Sequence, residues 1–400
     1  MKINVIGLGY IGLPTALMLA AHGVSVVGSE KDAARVAALQ AGEAPFHEQG
    51  LDDVFQKARQ NGIAFTTDVV VADVYIISVA TPYDAVTKKV DVTALQAAAR
   101  QVLAVAPDEA ILVVESTIAP GTMEASVRPL VVAAGKHVHL AHAPERILPG
   151  NMIHELEWNN RTIGADDVAI GERVKALYAS FCRGEIVVTD LRTAEMTKVV
   201  ENTFRAVNIA FANELMHLCH ESGLDVYDII RICNMHPRVN ILEPGPGVGG
   251  HCIPVDPWFL VGDYPTLTPL IRTALETNAA MPRYVLRRIH EIARQEHLPA
   301  SARVGLYGLT YKEDVDDMRE SPTLQLLALP EARDFVVYDP MIHEDVVAHQ
   351  VHDLDAFLDA VDFVVIMVKH AEIRERQEKL RGKVVLDGHH SVALPGVYHL

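Results

Sequence analysis

Residues 2–12 read KINVIGLGYIG, a short apolar strand that runs directly into a glycine-rich turn, and residues 14–21 continue with a helical pattern. Gly7 permits a tight turn, Gly9 lets a ligand approach the backbone, and Gly12 lets the helix pack closely on the strand. The free N–H groups and partial positive charge at the start of the helix suit a phosphate. The stretch predicts a dinucleotide-binding β-α unit, with an ordinary glycine turn of an α/β domain as the simpler alternative.

A second predicted strand, residues 24–28, is followed by Glu30. An acidic residue about 20 positions after the glycine turn can bind the ribose hydroxyls, and its charge repels the 2′-phosphate of NADP. Glu30 therefore favours NAD, although the cations Lys31 and Arg35 nearby weaken this preference. The residues that we expect to bind the cofactor here are Gly7, Gly9, Tyr10, Ile11, Gly12, Glu30 and Arg35.

Three further apolar strands are predicted at residues 74–79, 110–114 and 137–140. Thr81, Thr117 and Glu145 each come shortly after one of them. Because ligands of an open parallel sheet bind beyond the carboxyl ends of its strands, we expect these three side chains at the site. Each of them would also be an ordinary cap or turn residue.

Residues 194–222 contain no proline or glycine, and their apolar positions recur at helical spacing, which predicts one long helix. Lys198 and Asn202 lie four residues apart and therefore on one face. A solvated face is the ordinary interpretation of such a pair. The helix is nevertheless unusually polar for its length, which fits an active-site wall or a subunit contact.

Residues 245–259, GPGVGGHCIPVDPWF, are too rich in glycine and proline to form a helix or strand interior. They predict a loop whose backbone approaches another group closely and presents Cys252, four residues before Asp256, as a nucleophile. Most cysteines are instead small buried hydrophobic residues, and we expect this of Cys182, Cys219 and Cys233.

A second α/β unit follows, with strands predicted at residues 302–308, 335–338, 363–368 and 384–386. Lys312 and Arg319, in the loops after its first strand, are candidates for holding a phosphorylated ligand, and a solvated charged loop is the alternative. The predicted fold is α/β, with two Rossmann-like doubly wound domains joined by a central helical domain with one long helix. The expected boundaries are 1–190, 191–298 and 299–400.

The composition excludes several classes of protein. A formal net charge of −17 over 400 residues argues against a nucleic-acid partner. The scattered cysteines favour a reducing compartment, the chain begins with a strand instead of a signal peptide, and no apolar run reaches the ~18 residues that span a bilayer. We expect a cytoplasmic, soluble protein without a membrane partner, and no spacing typical of metal ligands predicts a metal site.

Two nucleotide-type domains around a helical spacer, with a glycine-flanked cysteine between them, resemble the UDP-glucose/GDP-mannose dehydrogenase family over nearly the whole chain. The resemblance depends on the glycine turn at 7–12, Ser116 with Thr117, Pro144 with Glu145, Lys198 with Asn202, and residues 249–256 and 317–322. It implies an NAD-binding domain at 1–190, a central domain at 191–298 for dimerisation and the cysteine loop, and a UDP-sugar-binding domain at 299–400.

The resemblance also implies the reaction, a four-electron oxidation of a UDP-sugar primary alcohol to a carboxylate by NAD, through a thiohemiacetal and a thioester on Cys252. Lys198 and Asn202 would steady the oxyanion, Asp256 and Thr117 would place a water, and Glu145 would do acid/base work. Arg238 would reach the substrate across a homodimer, and Arg319 would join cofactor and substrate domains. The implied contacts with the substrate are Glu145, Arg146, Lys198, Asn202, Arg238, Asn240, Gly249 and Lys312.

Three stretches, residues 208–214, 236–241 and 245–259, are similar to the branch of the family that oxidises UDP-N-acetyl-D-mannosamine for surface polysaccharides. Another UDP-sugar is the nearest alternative: UDP-N-acetylglucosamine, UDP-N-acetylgalactosamine or UDP-glucose. A two-electron 3-hydroxyacid-type dehydrogenase would need neither Cys252 nor the second α/β domain, and a silent NAD-binding regulator would need no reactive residues. The chain departs from the family pattern at Ala80, between residues 322 and 334, and at residues 387–390.

Overall fold

The computed structural model describes residues 1–84, 86–148 and 150–400, and the elements given below lie within them. The chain forms two compact units. The first comprises Met1–Glu201 and Trp258–Asp263, and the second comprises Asn202–Pro257 and Tyr264–Leu400.

The first unit contains an eight-stranded sheet in the order β3-β2-β1-β4-β5-β6-β7-β8. The strands are β1 (Lys2–Ile6), β2 (Ser25–Ser29), β3 (Ala64–Thr66), β4 (Val74–Ile77), β5 (Ile111–Val114), β6 (His139–His142), β7 (Arg161–Ala165) and β8 (Ile186–Asp190). Every residue of β4 and β5 is buried, which explains why these strands read as continuous apolar runs. The strand order reverses between β1 and β4, and the glycine turn lies directly after β1 at this switch point.

The helices of this unit are α1 (Gly12–Ala21), α2 (Ala33–Ala41), α3 (Leu51–Gln60), α4 (Thr93–Val105), α5 (Arg128–Ala133), α6 (Met152–Trp158) and α7 (Val168–Tyr178), and a π-helical turn, Met123–Val127, precedes α5. All residues of α1 are buried, and this helix is accordingly apolar on every face.

The long helix α8 (Leu191–Ser222) is 32 residues long and contributes to both units. No glycine or proline, the residues of lowest helix propensity, interrupts it.

The second unit contains a six-stranded sheet in the order β11-β10-β9-β12-β13-β14, with every strand pair parallel. Its strands are β9 (Val304–Tyr307), β10 (Val336–Tyr338), β11 (Gln350–Val351), β12 (Phe363–Ile366), β13 (Val384–Asp387) and β14 (Tyr398–His399). Its helices are α9 (Val226–Cys233), α10 (Asp256–Asp263, shared with the first unit), α11 (Pro269–Gln295), α12 (Pro322–Leu327), α13 (Leu354–Ala360) and α14 (Ala371–Glu375), with 3₁₀ turns at Pro330–Ala332 and Gln377–Leu380.

The predicted fold class is confirmed: two mostly parallel sheets and one long helix form a mixed α/β protein. Strand β7 pairs antiparallel to β6, a direction that the sequence did not reveal. Residues 269–295 form one helix with Pro282 inside it. Cys182 and Cys219 are buried as predicted, but the prediction for Cys233 is wrong, since it is exposed at the end of α9.

Among the described residues, no helix combines the length and the apolar character that crossing a bilayer requires.

Candidate functional site

The glycine turn after β1 leaves one approach to its backbone open. A Cβ on Gly12 would lie 1.9 Å from the Gly7 carbonyl oxygen, and Gly7 has a φ of +88°, so both positions need glycine for the fold itself. A Cβ on Gly9 would meet no atom within 4 Å. The N-terminus of α1 has no side-chain cap and no acidic residue in its first turn. An open backbone beside an uncapped helix N-terminus fits the diphosphate of a dinucleotide.

Glu30, which follows β2, is buried beside this turn. Its carboxylate accepts a hydrogen bond of 2.9 Å from the backbone N–H of Leu8 and one of 3.2 Å from Asp32. Arg35 lies 3.7 Å from the same carboxylate. The ring of Tyr10 stacks on Phe46 with centroids 4.4 Å apart. Glu30 thus braces the glycine turn, and its role toward the ribose stays a prediction.

Two predicted site residues meet beyond the neighbouring strands β4 and β5. The hydroxyl of Thr81 donates to the carbonyl oxygen of Thr117 at 2.6 Å, and the hydroxyl of Ser116 donates to the carbonyl of Val79 at 2.6 Å. Thr81 is buried and Thr117 is half-buried. These bonds tie together the two loops at the carboxyl edge of the sheet.

Glu145 lies in the loop after β6, the strand next to β5, and the residue is 6 % exposed. One of its oxygens accepts from the backbone N–H of Arg146 at 2.7 Å, and the other is paired with the guanidinium of Arg161. The side chain of Arg146 contacts Glu201 at 2.7 Å and donates to the Asn160 carbonyl at 2.6 Å. These bonds give Arg146 a structural role within the first unit, and its contact with a substrate stays a prediction.

Glu115, directly after β5, is a buried acid that we did not single out from the sequence. Burial, reinforced by the nearby negative charge of Glu145, raises its pKa to about 7. Arg161 lies 4.0 Å from it and Tyr178 donates to it at 3.1 Å. The signals in the sequence were an acid directly after the apolar run of β5 and a cation that opens the apolar strand β7.

Lys198 and Asn202 are 6 % and 1 % exposed, so the interpretation of this pair as a solvated helix face is wrong. The amide nitrogen of Asn202 donates to the carboxylate of Asp256 at 2.6 Å, and its oxygen accepts from Arg205 at 2.7 Å. Because a guanidinium only donates, Arg205 fixes the orientation of this amide. The prediction of a role for Asn202 and Asp256 thus gains a geometric basis, and Arg205 is an addition that the sequence did not suggest.

Cys252 is half-buried at the end of the glycine-rich loop, and α10 begins four residues later. Its carbonyl oxygen accepts from the N–H of Asp256 at 2.9 Å and of Val255 at 3.2 Å, so thiol and carboxylate belong to one tight turn. Burial, with the positive charge of Arg319, lowers the pKa of His251 beside it. Among the described residues, no cysteine forms a disulfide.

The glycines of this loop pack against the protein itself. A Cβ on Gly249 would lie 2.5 Å from the Tyr311 Cβ, and one on Gly250 would lie 2.9 Å from the Tyr311 ring. The N–H of Gly250 donates to the Arg319 carbonyl at 2.8 Å, and a Cβ on Gly247 would lie 2.9 Å from Pro322. The predicted close approach is therefore present, but its partners are residues 311 and 319–322 of the second unit.

A chain of buried amides anchors the start of the same loop. The N–H of Gly245 donates to Asn213 at 3.0 Å, Asn213 donates to Asn278 at 2.9 Å, and Asn278 donates to the Ala206 carbonyl at 2.9 Å. The side chain of Asn208 holds the loop as well, since its oxygen accepts from the N–H of Leu242 at 2.9 Å. The polar residues of α8 therefore hold loops of the same chain.

The remaining predicted residues lie on the surface or in loops of the second unit. Arg238 and Asn240 are exposed after α9, and the Asn240 carbonyl accepts from Asn208 at 2.8 Å. Lys312 is half-buried after β9, and Arg319 is exposed and paired with Asp317 at 2.6 Å. Their roles toward a ligand stay predictions.

Comparison with known proteins identifies the family domain by domain. Residues 1–182 match the NAD binding domain, residues 192–280 the central domain and residues 305–393 the UDP binding domain of the UDP-glucose/GDP-mannose dehydrogenase family. These matches cover most of the 400 residues.

Individual relatives are similar over almost the full length. A UDP-N-acetyl-D-mannosamine dehydrogenase of Methanococcus aeolicus is 39 % identical over 96 % of this chain and 90 % of its own length. An NDP-N-acetyl-D-galactosaminuronic acid dehydrogenase of Ralstonia nicotianae is 40 % identical over 96 % of this chain and 95 % of its own. The solved structure of a UDP-D-ManNAc dehydrogenase from Pyrococcus horikoshii superposes with a TM-score of 0.93 at 35 % identity, covering 100 % of this chain and 98 % of that one. The chain therefore belongs to the UDP-glucose/GDP-mannose dehydrogenase family and is an NAD-dependent UDP-sugar dehydrogenase.

Proposed function

We propose that this enzyme oxidises UDP-N-acetyl-D-mannosamine at carbon 6 to the uronate, transferring four electrons to NAD. The observation that carries the proposal is the turn between Cys252 and Asp256, held by the hydrogen bond from Asn202 at 2.6 Å. A thiol, a carboxylate and an amide in one braced arrangement are what an oxidation through a covalent intermediate requires.

The proposed reaction proceeds in two oxidations on one enzyme. When bound, NAD accepts one hydride in each oxidation. The alcohol first becomes an aldehyde, which the thiolate of Cys252 attacks to form a thiohemiacetal. Loss of a second hydride gives a thioester, and water cleaves the carbon–sulfur bond to release the carboxylate. The balance is one alcohol, one water and two NAD consumed, with one carboxylate, two NADH and three protons produced.

The residues divide this work according to their chemistry. Lys198 and the Asn202 amide would stabilise the oxyanion of the tetrahedral intermediates, an effect of several kcal/mol when such donors are pre-oriented. Asp256 and Thr117 would hold the hydrolytic water, and Glu145 would exchange the proton of the reacting alcohol. Arg205, which orients Asn202, supports the first of these roles.

The sugar is the less determined part of the proposal. Relatives named for N-acetylmannosamine and for N-acetylgalactosaminuronic acid are 39 % and 40 % identical to this chain, so overall identity does not separate them. The stretches 208–214, 236–241 and 245–259 favour the N-acetylmannosamine substrate. We infer a role in making a surface polysaccharide in the cytoplasm, a reducing compartment that suits four cysteines without a disulfide.

A homodimer formed by α8 is the assembly that we propose, on a different face of the helix from the polar one first considered. Val200, Phe204, Phe211 and Leu218 are 45 %, 65 %, 52 % and 59 % exposed. Their spacing places them within about 40° around the helix axis, so they form one apolar stripe. A second copy of the same stripe would bury these side chains.

Limiting-substrate titration tests the function. We expect two NADH for each molecule of UDP-N-acetyl-D-mannosamine, one molecule of uronate, and the highest kcat/KM in a panel of UDP-sugars. A stoichiometry of one would reject the thioester route in favour of a two-electron dehydrogenase. A clear preference for another UDP-sugar would reject the substrate but leave the reaction standing.

Sedimentation tests the assembly. Phe211→Glu places a charge in the apolar stripe and should convert a dimer into a monomer at micromolar concentration. Val132→Glu, on α5 at 73 % exposure, is the control and should leave the dimer intact. A wild-type monomer would contradict the proposal.

A further inference from the structure

A group of buried polar side chains lies under the carboxyl edge of the first sheet, and Glu145 is the member to which a role has been assigned so far. We call it the Glu115 cluster. It consists of two acids, one cation and three hydroxyl groups: Glu115, Glu145, Arg161, Thr15, Ser78 and Tyr178. The two acids and the cation are 1 %, 6 % and 4 % exposed.

The antiparallel direction of β7 brings the cation to this edge. Ala141 and His142 of β6 pair with Ala165 and Gly164 of β7. Continuing this register past the end of β6 puts Arg161, the first residue of β7, opposite Glu145. A parallel strand would have placed its first residue at the other edge of the sheet.

Arg161 is hydrogen-bonded to Glu145 and also lies against the rings of Tyr178 and Phe181. Its Nη2 donates to the Glu145 carboxylate, while its guanidinium lies 4.6 Å from the Tyr178 ring centroid and 5.4 Å from that of Phe181. Its Nη1 lies 4.0 Å from Glu115 and, like its Nε, makes no hydrogen bond. The guanidinium therefore bonds to one acid through Nη2, while Nη1, which makes no hydrogen bond, lies near the other acid.

Glu115 joins three separate elements through hydroxyl groups. Thr15 of α1 and Tyr178 of α7 donate to one of its oxygens at 3.1 Å each, and Ser78 after β4 donates to the other at 2.6 Å. Ser78 also packs under the glycine turn, since a Cβ on Gly12 would lie 2.9 Å from the Ser78 Cβ. Hydroxyl groups can either donate or accept, so they satisfy Glu115 in both its ionised and protonated forms.

The charges of the cluster do not balance when both acids are ionised. One guanidinium against two carboxylates leaves a net negative charge in a buried site, which is costly. A single proton on the pair of acids restores neutrality. Glu145 has a close charged partner and a backbone donor, whereas Glu115 has only neutral donors at hydrogen-bonding distance, so the proton belongs on Glu115.

We propose that Glu115 and Arg161 are positioning residues for the oxidation: Glu115 holds the proton of the pair, and Arg161 pairs with Glu145 and orients it for proton exchange with the substrate alcohol. The inference deepens the proposed function and rests on it. Arg161 and Glu115 do not themselves touch the substrate. The cluster acts through Glu145 alone.

The other titratable groups near the Glu115 cluster do not serve as the site that holds this proton near pH 7. The pKa of His142, on β6, is lowered to about 4 by burial, so the ring stays neutral. The pKa of Tyr178 is raised well above its ordinary value by burial and by Glu115. Burial lowers the pKa of Arg161, but the nearby Glu145 carboxylate opposes this effect, and the guanidinium stays charged. The pKa of Glu115 alone is raised to about 7, where enzyme assays are run.

The test compares Glu115→Gln, which mimics the protonated acid, with wild type and with Glu172→Gln, an exposed carboxylate on α7. Rates with NAD and the UDP-sugar are measured from about pH 5 to 10. Wild type and the Glu172 variant should show an ionisation in kcat near pH 7 that is absent from the Glu115 variant. In infrared spectra below that pH, the band of a protonated buried carboxyl should be lost in the Glu115 variant only.

Arg161→Lys provides the second measurement, because a lysine cannot reproduce the stacked, planar fork. We expect kcat to fall about 10- to 100-fold while the KM for NAD changes less than about twofold. The inference would be overturned by any of three results: a Glu115 variant with the pH profile of wild type, a carboxyl band that persists in that variant, or a full kcat in the Arg161 variant. In each case a yield of two NADH per sugar would still support the proposed function. Wild-type enzyme that oxidises no UDP-sugar would overturn the function itself.

Discussion

The glycine-rich loops at residues 7–12 and 245–250 look alike in sequence and differ in what surrounds their backbones. Gly9 in the first loop has no protein atom within 4 Å of the place where a Cβ would be. In the second loop a Cβ on Gly245, Gly247, Gly249 or Gly250 would come within 3.0 Å of another residue. One loop keeps space beside its backbone, and the other has filled that space with its own chain.

The difference separates two uses of glycine. Among the described residues, Gly9 is the glycine that combines empty surroundings with a φ outside the left-handed region, so the fold gives no reason for it. A ligand does. In the second loop the glycines fix the place of the backbone. We expect the first loop to bind NAD through its backbone, and the second to present the side chain of Cys252 as the reactive group.

The largest expected effect comes from removing that reactive group. Cys252→Ala should leave NAD binding intact but abolish net uronate formation, a loss of at least ~10³-fold, with at most one NADH per sugar. Mass spectrometry of the product and NADH absorbance measure it. Cys233→Ala, at the exposed cysteine, is the control and should behave as wild type. Full uronate formation by the Cys252 variant would contradict the assignment.

Gly9→Ala should give the next largest effect, and on binding alone. The added methyl group occupies the space of the cofactor diphosphate, so the Kd for NAD should rise about 10- to 100-fold, while the free energy of unfolding should stay within about 0.5 kcal/mol of wild type. Calorimetric titration and thermal unfolding give the two values. If the Gly9 variant were destabilised but bound NAD normally, Gly9 would serve the fold instead of the cofactor, and the contrast between the two loops would be wrong.

Gly249→Ala should show the opposite pattern. Its methyl group would collide with the Tyr311 Cβ at 2.5 Å and the Glu320 carbonyl oxygen at 2.9 Å, so the loop must shift. Overpacking of this kind costs about 1–3 kcal/mol of stability, and kcat should fall with it because Cys252 is three residues away. The Kd for NAD should not change. Denaturant unfolding with steady-state kinetics measures both, and unaltered stability would show that the contact is easily relieved.

The smallest effect concerns Glu115, beneath the first loop. Its pKa is raised from an ordinary value of 4.5 to about 7, so between these pH values the folded chain binds more protons than the unfolded chain. Stability must then fall as pH rises through this window, by at most about 1.4 kcal/mol per pH unit. Glu115→Gln should remove this slope, whereas Glu172→Gln should keep it. Parallel unfolding curves for wild type and the Glu115 variant across the window would contradict the raised pKa.

The sequence predicted the elements whose signals are local. The strand, turn and helix at residues 2–21 appear where expected because alternation of apolar residues, glycine and helix propensity act over short distances. The long helix and four strands of the second sheet were predicted for the same reason, whereas its short edge strands β11 and β14 were not. The residues Cys252, Asp256 and Asn202 were named from the sequence, and the bond that joins Asn202 to Asp256 connects positions 54 residues apart.

What the sequence missed depends on long-range pairing. The direction of β7 is set by its neighbour in the sheet and leaves no mark in residues 161–165, so Arg161 and Glu115 could not be connected. The polar residues of α8 were visible, but their partners, such as Asn278 for Asn213, lie 65 positions away. The exposure of Cys233 likewise depends on the position of the last residue of α9 in the fold, which the local sequence does not determine.

The continuous hydrogen bonding of α8 has a consequence for how this protein can vary in length. Inserting one residue into an α-helix turns everything after it by about 100°. An insertion after Asn202 would swing Asn208 away from Leu242 and Asn213 away from Asn278, and the cysteine loop would lose two of its anchors at once. The exposed segment at residues 343–346 is held by local hydrogen bonds to Gln350 and His352, which can shift together with it. Insertions and deletions among natural variants should therefore collect in surface turns and spare every position of this helix from Asn202 to Asn213.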